Sequence, residues 1–272
     1  MLRFSSCQAE IADPFCAELA AFIGEKLAIQ SEFIGDIPWQ ERERLLLRGD
    51  IHVNWICGLA YVRKHNLLKN TIQTIELLAA PVRNHPRYGG RPDYYSDVVV
   101  HADSSLQSFE ELSGKTWGYS EPASHSGYNI MRYHLAMEGW GPNYFGRVIE
   151  TGSHRNSIQM ILQRTIDAAA IDSTVLELEL EKNPSIIEQI RTIKVLGPSP
   201  APPWVVHGSV PTDVQQALRQ EFLSMDKDPR GRQILECARM LLFAPVSDHD
   251  YDPIREMERI ATSDHTNDQG TP

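Results

Sequence analysis

The feature that most constrains this chain is alternation: short runs rich in β-branched and aromatic residues give way, after a turn or capping residue, to stretches of helical periodicity. Leu2 to Ser5 reads as a first strand. Asp13-Pro14 follows as helix cap and first helical position, and Phe15, Leu19, Phe22, Ile23 and Leu27 make one apolar stripe. Phe33-Ile34 suggests a second strand, Pro38 opens a helix through Leu47, and Gly49 closes it before the run Ile51 to Cys57. Such repetition predicts mainly parallel sheets covered by helices, an α/β protein.

The second half follows the same plan. Strands are expected at Asp97 to Ala102, Thr116 to Tyr119, Val148 to Thr151, Ala168 to Ile171, Ile193 to Leu196 and Trp204 to His207. Helices are expected at Ser108 to Leu112, Gly127 to Glu138, His154 to Gln163, after Ser173, Thr212 to Ser224 and Gly231 to Leu242. Two segments read as crossings between lobes: RYGGRPDYYS, before Val98, and the proline-rich GPSPAPPW. They divide the chain into a discontinuous lobe of residues 1–100 and 200–258, a second lobe of residues 101–199, and a flexible polar tail at 259–272. Two crossings would give a hinge.

Composition excludes several classes. The 272 residues carry a formal charge of −10, so the basic face that nucleic acid requires is not expected. No apolar run approaches the roughly 18 residues of a membrane span, and stable membrane insertion is not expected. Cys7, Cys16, Cys57 and Cys237 form no CxxC pair, which argues against zinc and for buried thiols. His52, His65, His101 and His154 are scattered without HExxH, and GxSxG, GxGxxG and the P-loop pattern are absent. No metal, cofactor or catalytic residue is expected. An enzyme built on Cys7, Cys57 or His154 is the weakest of the readings, because no local signature pairs a nucleophile with a base.

The informative segments are polar helix starts. In TWGYSEPASHSGYNIM a strand ends at Tyr119, and Ser124, His125, Ser126 and Gly127 fall where a helix begins. Unpaired amides and about half a positive charge make such a start an oxyanion site without any lysine. Serine hydroxyls add donors, and Gly127 lets a ligand approach the backbone; the alternative is that Ser126 only caps the helix. Ser153 or His154 in VIETGSHRNSI occupies the next such junction, either as a cap with an exposed imidazole or as part of the site. Asp172-Ser173 occupies a third, where Asp172 either accepts from a protonated ligand oxygen or caps. Three polar helix starts at the carboxyl ends of successive strands match where open α/β sheets take ligands. Tyr94, Tyr95 and Trp55 are candidates for the walls of the site, with core packing as the alternative, and Ser5, Ser6 and Cys7 follow the first strand and would face the same cleft.

At these residues the chain resembles the phosphate/phosphite/phosphonate ABC-transporter substrate-binding proteins. The stretches RYGGRPDYYSDVVVHADS, SFEELSGKTWGYSEPASHSGY, ETGSHRNSI and DAAAIDSTVL carry the likeness, which runs from Gly49 to about Val206. The resemblance implies a two-lobed type II periplasmic-binding-protein fold with the ligand in a cleft between the lobes. It implies an oxyanion head group held by Ser124, His125, Ser126, His154 and Tyr94, with Tyr95 as the local alternative.

The function implied is capture of a phosphonate, phosphite or phosphate for ABC-type uptake, with a small anion and a transporter permease as partners. Two departures carry expectations of their own. His125 stands in the middle of the Ser-x-Ser start, so binding would be pH-sensitive if that ring faced the ligand. Asp172 is the one carboxylate near Ser173-Thr174 and Pro202-Pro203, so an aminoalkylphosphonate would lack a counter-ion. The family implies a periplasmic location, whereas MLRFSSCQAE does not read as a secretory leader. A cytoplasmic protein that senses or sequesters an anionic metabolite is therefore the alternative.

Overall fold

A computed structural model describes residues 1–68 and 74–263. The chain divides into two compact units: Met1–Asp93 with Pro200–Asp252, and Tyr94–Ser199 with the chain after Asp252.

The first unit is built on β1 (Leu2–Ser6), α1 (Asp13–Leu27), β2 (Ser31–Ile34), α2 (Trp39–Arg48), β3 (Val53–Trp55), α3 (Gly58–Leu68) and β4 (Ile75–Arg83). The returning chain adds β10 (Trp204–His207), α7 (Thr212–Ser224), α8 (Pro229–Cys237) and β11 (Met240–Ala244). Its sheet runs β11-β4-β10-β3-β1-β2. The β1 ladders to β2 and β3 are parallel, as expected, but β10 enters antiparallel between β3 and β4, and β11 pairs antiparallel with β4.

The stripe read in α1 is buried at Leu19, Phe22 and Ile23. Asp13, expected as its cap, is instead the first helical residue, because its carboxylate is drawn to Arg42. That guanidinium is buried and donates to the carbonyls of Ile37, Ser6 and Gly35 as well as to both oxygens of Asp13, tying β1, α1 and the entry of α2 together. Gly49 ends α2 at φ 75°, as its position predicted. The helix expected from Gly231 to Leu242 stops at Cys237. Arg239 turns the chain at φ 55°, and the apolar run after it pairs with β4 as a strand.

The second unit contains β5 (Asp93–His101), β6 (Thr116–Tyr119), α4 (Ile130–Met137), β7 (Arg147–Glu150), α5 (His154–Leu162), β8 (Ala168–Asp172), α6 (Ser173–Lys182), β9 (Ile190–Pro200) and α9 (Asp252–Ser263). Its sheet runs β7-β6-β8-β5-β9. Side chains alternate between the faces. Val98, Val100, Trp117, Ala168 and Ala170 pack on one side, and Val99, Ala169 and Ile171 meet Ile158, Ile161 and Leu176 on the other.

The lobe boundaries expected at 100 and 258 differ from the division observed. β5 is one unbroken strand paired antiparallel with β8 from Ser96 to Val100, so the chain changes unit at Asp93. It changes again after Ser199 and a third time after Asp252. Residues expected as the end of the first lobe and the start of a tail form α9, which brings Met257 to the second unit's core and offers the Ala261 carbonyl to Arg132 at 2.6 Å. Residues 264–272 of that expected tail lie outside the described residues.

Because β6, β7 and β8 are mutually parallel and β5 is antiparallel to β8, one edge of this sheet gathers the carboxyl ends of three strands and the start of a fourth. Tyr119, Glu150, Asp172 and Ser96 stand along that edge.

Candidate anion-binding site

The helix start that follows β6 opens with one wide π turn, His125–Asn129, before α4. Ser124 is its cap: the hydroxyl accepts from the Gly127 amide at 3.0 Å, and the Ser124 carbonyl from the Asn129 amide at 3.1 Å. With the cap supplied two residues earlier, Ser126 does not cap, and its hydroxyl lies 3.1 Å from Nε2 of His154.

His154 is presented by the second helix start. Ser153 caps α5 by accepting from the Asn156 amide at 3.1 Å, and Thr151 braces the turn through the Tyr119 carbonyl at 3.0 Å and the Ser157 hydroxyl at 2.6 Å. The imidazole that results from this bracing has Nε2 on Ser126. Its Nδ1 is buried without a well-formed hydrogen bond. Burial lowers its pKa; the Asp172 carboxylate and the Ala170 carbonyl pull the other way and do not outweigh it.

Gly127 holds the two groups together in a way that the reading of close ligand approach did not anticipate. A Cβ there would lie 2.2 Å from Ser120 Oγ and 3.0 Å from His154 Cε1, so glycine is what lets both pack against the helix start. Ser120, the first residue after β6, was not singled out in the sequence. Its position directly after a strand was the available signal, but serine is common in loops and the signal is weak.

His125 does not join this group. It is fully buried, with Nδ1 accepting from the Asn129 side chain at 3.2 Å and Nε2 meeting the Ser199 hydroxyl at 3.0 Å. Burial pushes its pKa down to about 3, so the ring is neutral near neutrality and both nitrogens are engaged. The expectation of a pH-sensitive pocket through His125 is therefore replaced by a structural role. Tyr94 is buried beside it, ring centroids 6.4 Å apart, and the Tyr95 amide donates to the Ser173 hydroxyl at 3.1 Å.

Asp172 resolves toward capping. Its Oδ1 accepts from the Thr174 amide at 2.8 Å and the Thr174 hydroxyl at 2.7 Å, while its charge acts on His154. In the first unit, Trp55 is a core residue: it stacks on Trp204 at 5.6 Å and donates to the Pro202 carbonyl at 2.8 Å. Ser6 accepts from the Gln8 amide at 3.1 Å in the turn that leaves β1. Cys7 is a poor nucleophile, since burial, seconded by the charge of Glu43, pushes its thiol up to about 12.

Two α/β units with ligand-type helix starts at a sheet edge are the build of a solute-binding protein. This chain belongs to the family described as "ABC transporter, phosphonate, periplasmic substrate-binding protein", which matches residues 9–251. The family is one of binding proteins rather than enzymes.

A curated relative, the phosphonates-binding periplasmic protein of Escherichia coli (strain K12), is 24% identical over 176 residues, 62% of this chain and 51% of the relative. The chain thus spans about half the length of that relative. A binding-protein component of an ABC phosphonate transporter from Pseudomonas aeruginosa superposes with a TM-score of 0.84 at 17% identity, covering 99% of this chain and 89% of that one. A Prochlorococcus marinus protein solved with methylphosphonate gives 0.82 at 19% identity, covering 95% and 97%. These likenesses establish the periplasmic-binding-protein fold.

Proposed function

We propose that this protein binds a small phosphorus oxyanion (phosphonate, phosphite or phosphate) at the Ser126–His154 pair and supplies it to an ABC transporter in the periplasm. The observation that carries the reading is the 3.1 Å approach of Ser126 Oγ to His154 Nε2, made possible because Ser124 takes over the capping. The helix dipole favours negative charge at this point, and hydrogen bonds to an ionised oxygen are about twice as strong as neutral ones. The methylphosphonate complex of the Prochlorococcus relative supports the choice of ligand class.

Simple alkylphosphonates are expected over aminoalkylphosphonates. An ammonium group would need a carboxylate partner, and Asp172 is already held as the cap of α6. Thermal shift of the purified protein against phosphate, phosphite, methylphosphonate, 2-aminoethylphosphonate, sulfate and acetate tests the reading. A ligand at about 100 times its Kd stabilises by about 2.7 kcal/mol. A shift with a phosphorus oxyanion that exceeds those with sulfate and acetate is the expected outcome; no shift with any of them would count against the function proposed.

A further inference from the structure

Among the described residues, the Ser120 hydroxyl beside this site is buried without a hydrogen-bond partner. The residue is 3% exposed. Its main chain is fixed, because the Ser120 carbonyl accepts from the Gly152 amide at 2.8 Å in the turn that leads to His154. Its side chain is aimed at the helix start, since the Cβ position of Gly127 lies 2.2 Å from Ser120 Oγ and 3.0 Å from His154 Cε1. The hydroxyl and the imidazole therefore flank the same backbone atom, with Ser126 the next residue before it.

Buried hydroxyls without partners are uncommon, and each needs an explanation. A serine hydroxyl can donate one proton, and an ionised oxyanion offers acceptors only. Two serine hydroxyls and an imidazole, which donates once its proton sits on Nε2, arrive from three elements (the end of β6, the turn before α4, the start of α5) and suit a head group whose oxygens diverge tetrahedrally better than one with two coplanar oxygens.

We propose that Ser120 is a third side-chain donor to the bound anion, completing with Ser126 and His154 a set matched to a tetrahedral oxyanion. The inference rests on the preceding reading of the Ser126–His154 pair and adds a residue to it.

Calorimetric titration of the full chain with methylphosphonate and with phosphate, in wild type, Ser120→Ala and Ser126→Ala, tests it alongside the ligand-free unfolding midpoint. Ser120→Ala is expected to bind about tenfold more weakly. Its ligand-free midpoint should stay level or rise, since no protein partner is lost. An affinity within roughly twofold of wild type, with Ser126→Ala still weakened, overturns the Ser120 assignment and leaves the pair standing. A weakened affinity accompanied by a lowered midpoint also overturns it, by showing that the hydroxyl supports the fold. If wild type binds neither anion, or Ser126→Ala matches wild type, the reading of the pair falls and the Ser120 assignment falls with it.

Discussion

The hydroxyl of Ser126 and Nε2 of His154 stand 3.1 Å apart across a sequence separation of 28 residues, each at the first turn of a different helix. The two are brought together by parallel pairing: β6 and β7 run side by side from Thr116 and Arg147, so the loops that follow them leave the same edge of the sheet. Each helix has its own serine cap, Ser124 for one and Ser153 for the other, which leaves Ser126 and His154 available for something else.

Between them stands Gly127. Replacement by alanine would place a methyl group 2.2 Å from Ser120 Oγ and 3.0 Å from His154 Cε1, so both side chains would have to shift. Gly127→Ala is expected to cost about 1–3 kcal/mol of stability, the usual range for overpacking, and to lower methylphosphonate affinity by at least roughly tenfold. Gly141→Ala, where a methyl group meets nothing within 4 Å, should change neither. Urea unfolding and calorimetry on both variants check this.

His125 makes the fold sensitive to acid. Its folded pKa of about 3 lies below the ordinary 6.5, so between these values the unfolded chain binds the extra proton. Stability is therefore full above pH 6.5 and falls as pH is lowered toward about 3, at up to about 1.4 kcal/mol per pH unit from this group. Urea unfolding near pH 7 and near pH 5 should show the loss, and His125→Gln should flatten the dependence. An unchanged slope in the variant would contradict the assignment.

Arg42 is the corresponding anchor of the first unit. Its side chain is 4% exposed and grips Asp13, which is 20% exposed. Removing the guanidinium strands a carboxylate whose pKa burial already raises. Arg42→Met is expected to destabilise by about 3 kcal/mol, the low end for a broken buried pair because Asp13 keeps some solvent. A change below about 0.5 kcal/mol in urea unfolding would show that the cluster is dispensable.

How much of this was legible in the sequence depends on which rule each residue obeyed. Pro14, Pro38 and Gly49 mark helix ends by local geometry, and the elements they bound lie where local reading puts them. In the 58–83 stretch Gly58 opens α3 and Pro81 sits inside β4, neither at the position its local geometry favours, so these two elements are not legible from such marks. Met240–Ala244 is an apolar run that suits either period, and only its pairing with β4 makes it a strand.

At the site, the strand-to-helix junctions after Tyr119 and Glu150 were readable, because that is where parallel sheets open. The direction each side chain takes was not. His125 turns toward Asn129 and Ser199 because a π turn replaces the first α turn, and nothing in the segment SHSG announces that. By sequence Trp55 suits a wall as well as the core; its partner Trp204 lies far along the chain and packs it into the core. Ser120 depended on knowing what Gly127 leaves room for.

The measurement that tests the central claim most directly is calorimetric titration of methylphosphonate into wild type and Ser126→Ala. Saturable binding to wild type, weakened in the variant by about 1–3 kcal/mol, is the result predicted for a hydroxyl that donates to a charged ligand oxygen. Equal affinity in the two proteins, or no binding to wild type, would contradict the claim that the Ser126–His154 pair is an oxyanion site.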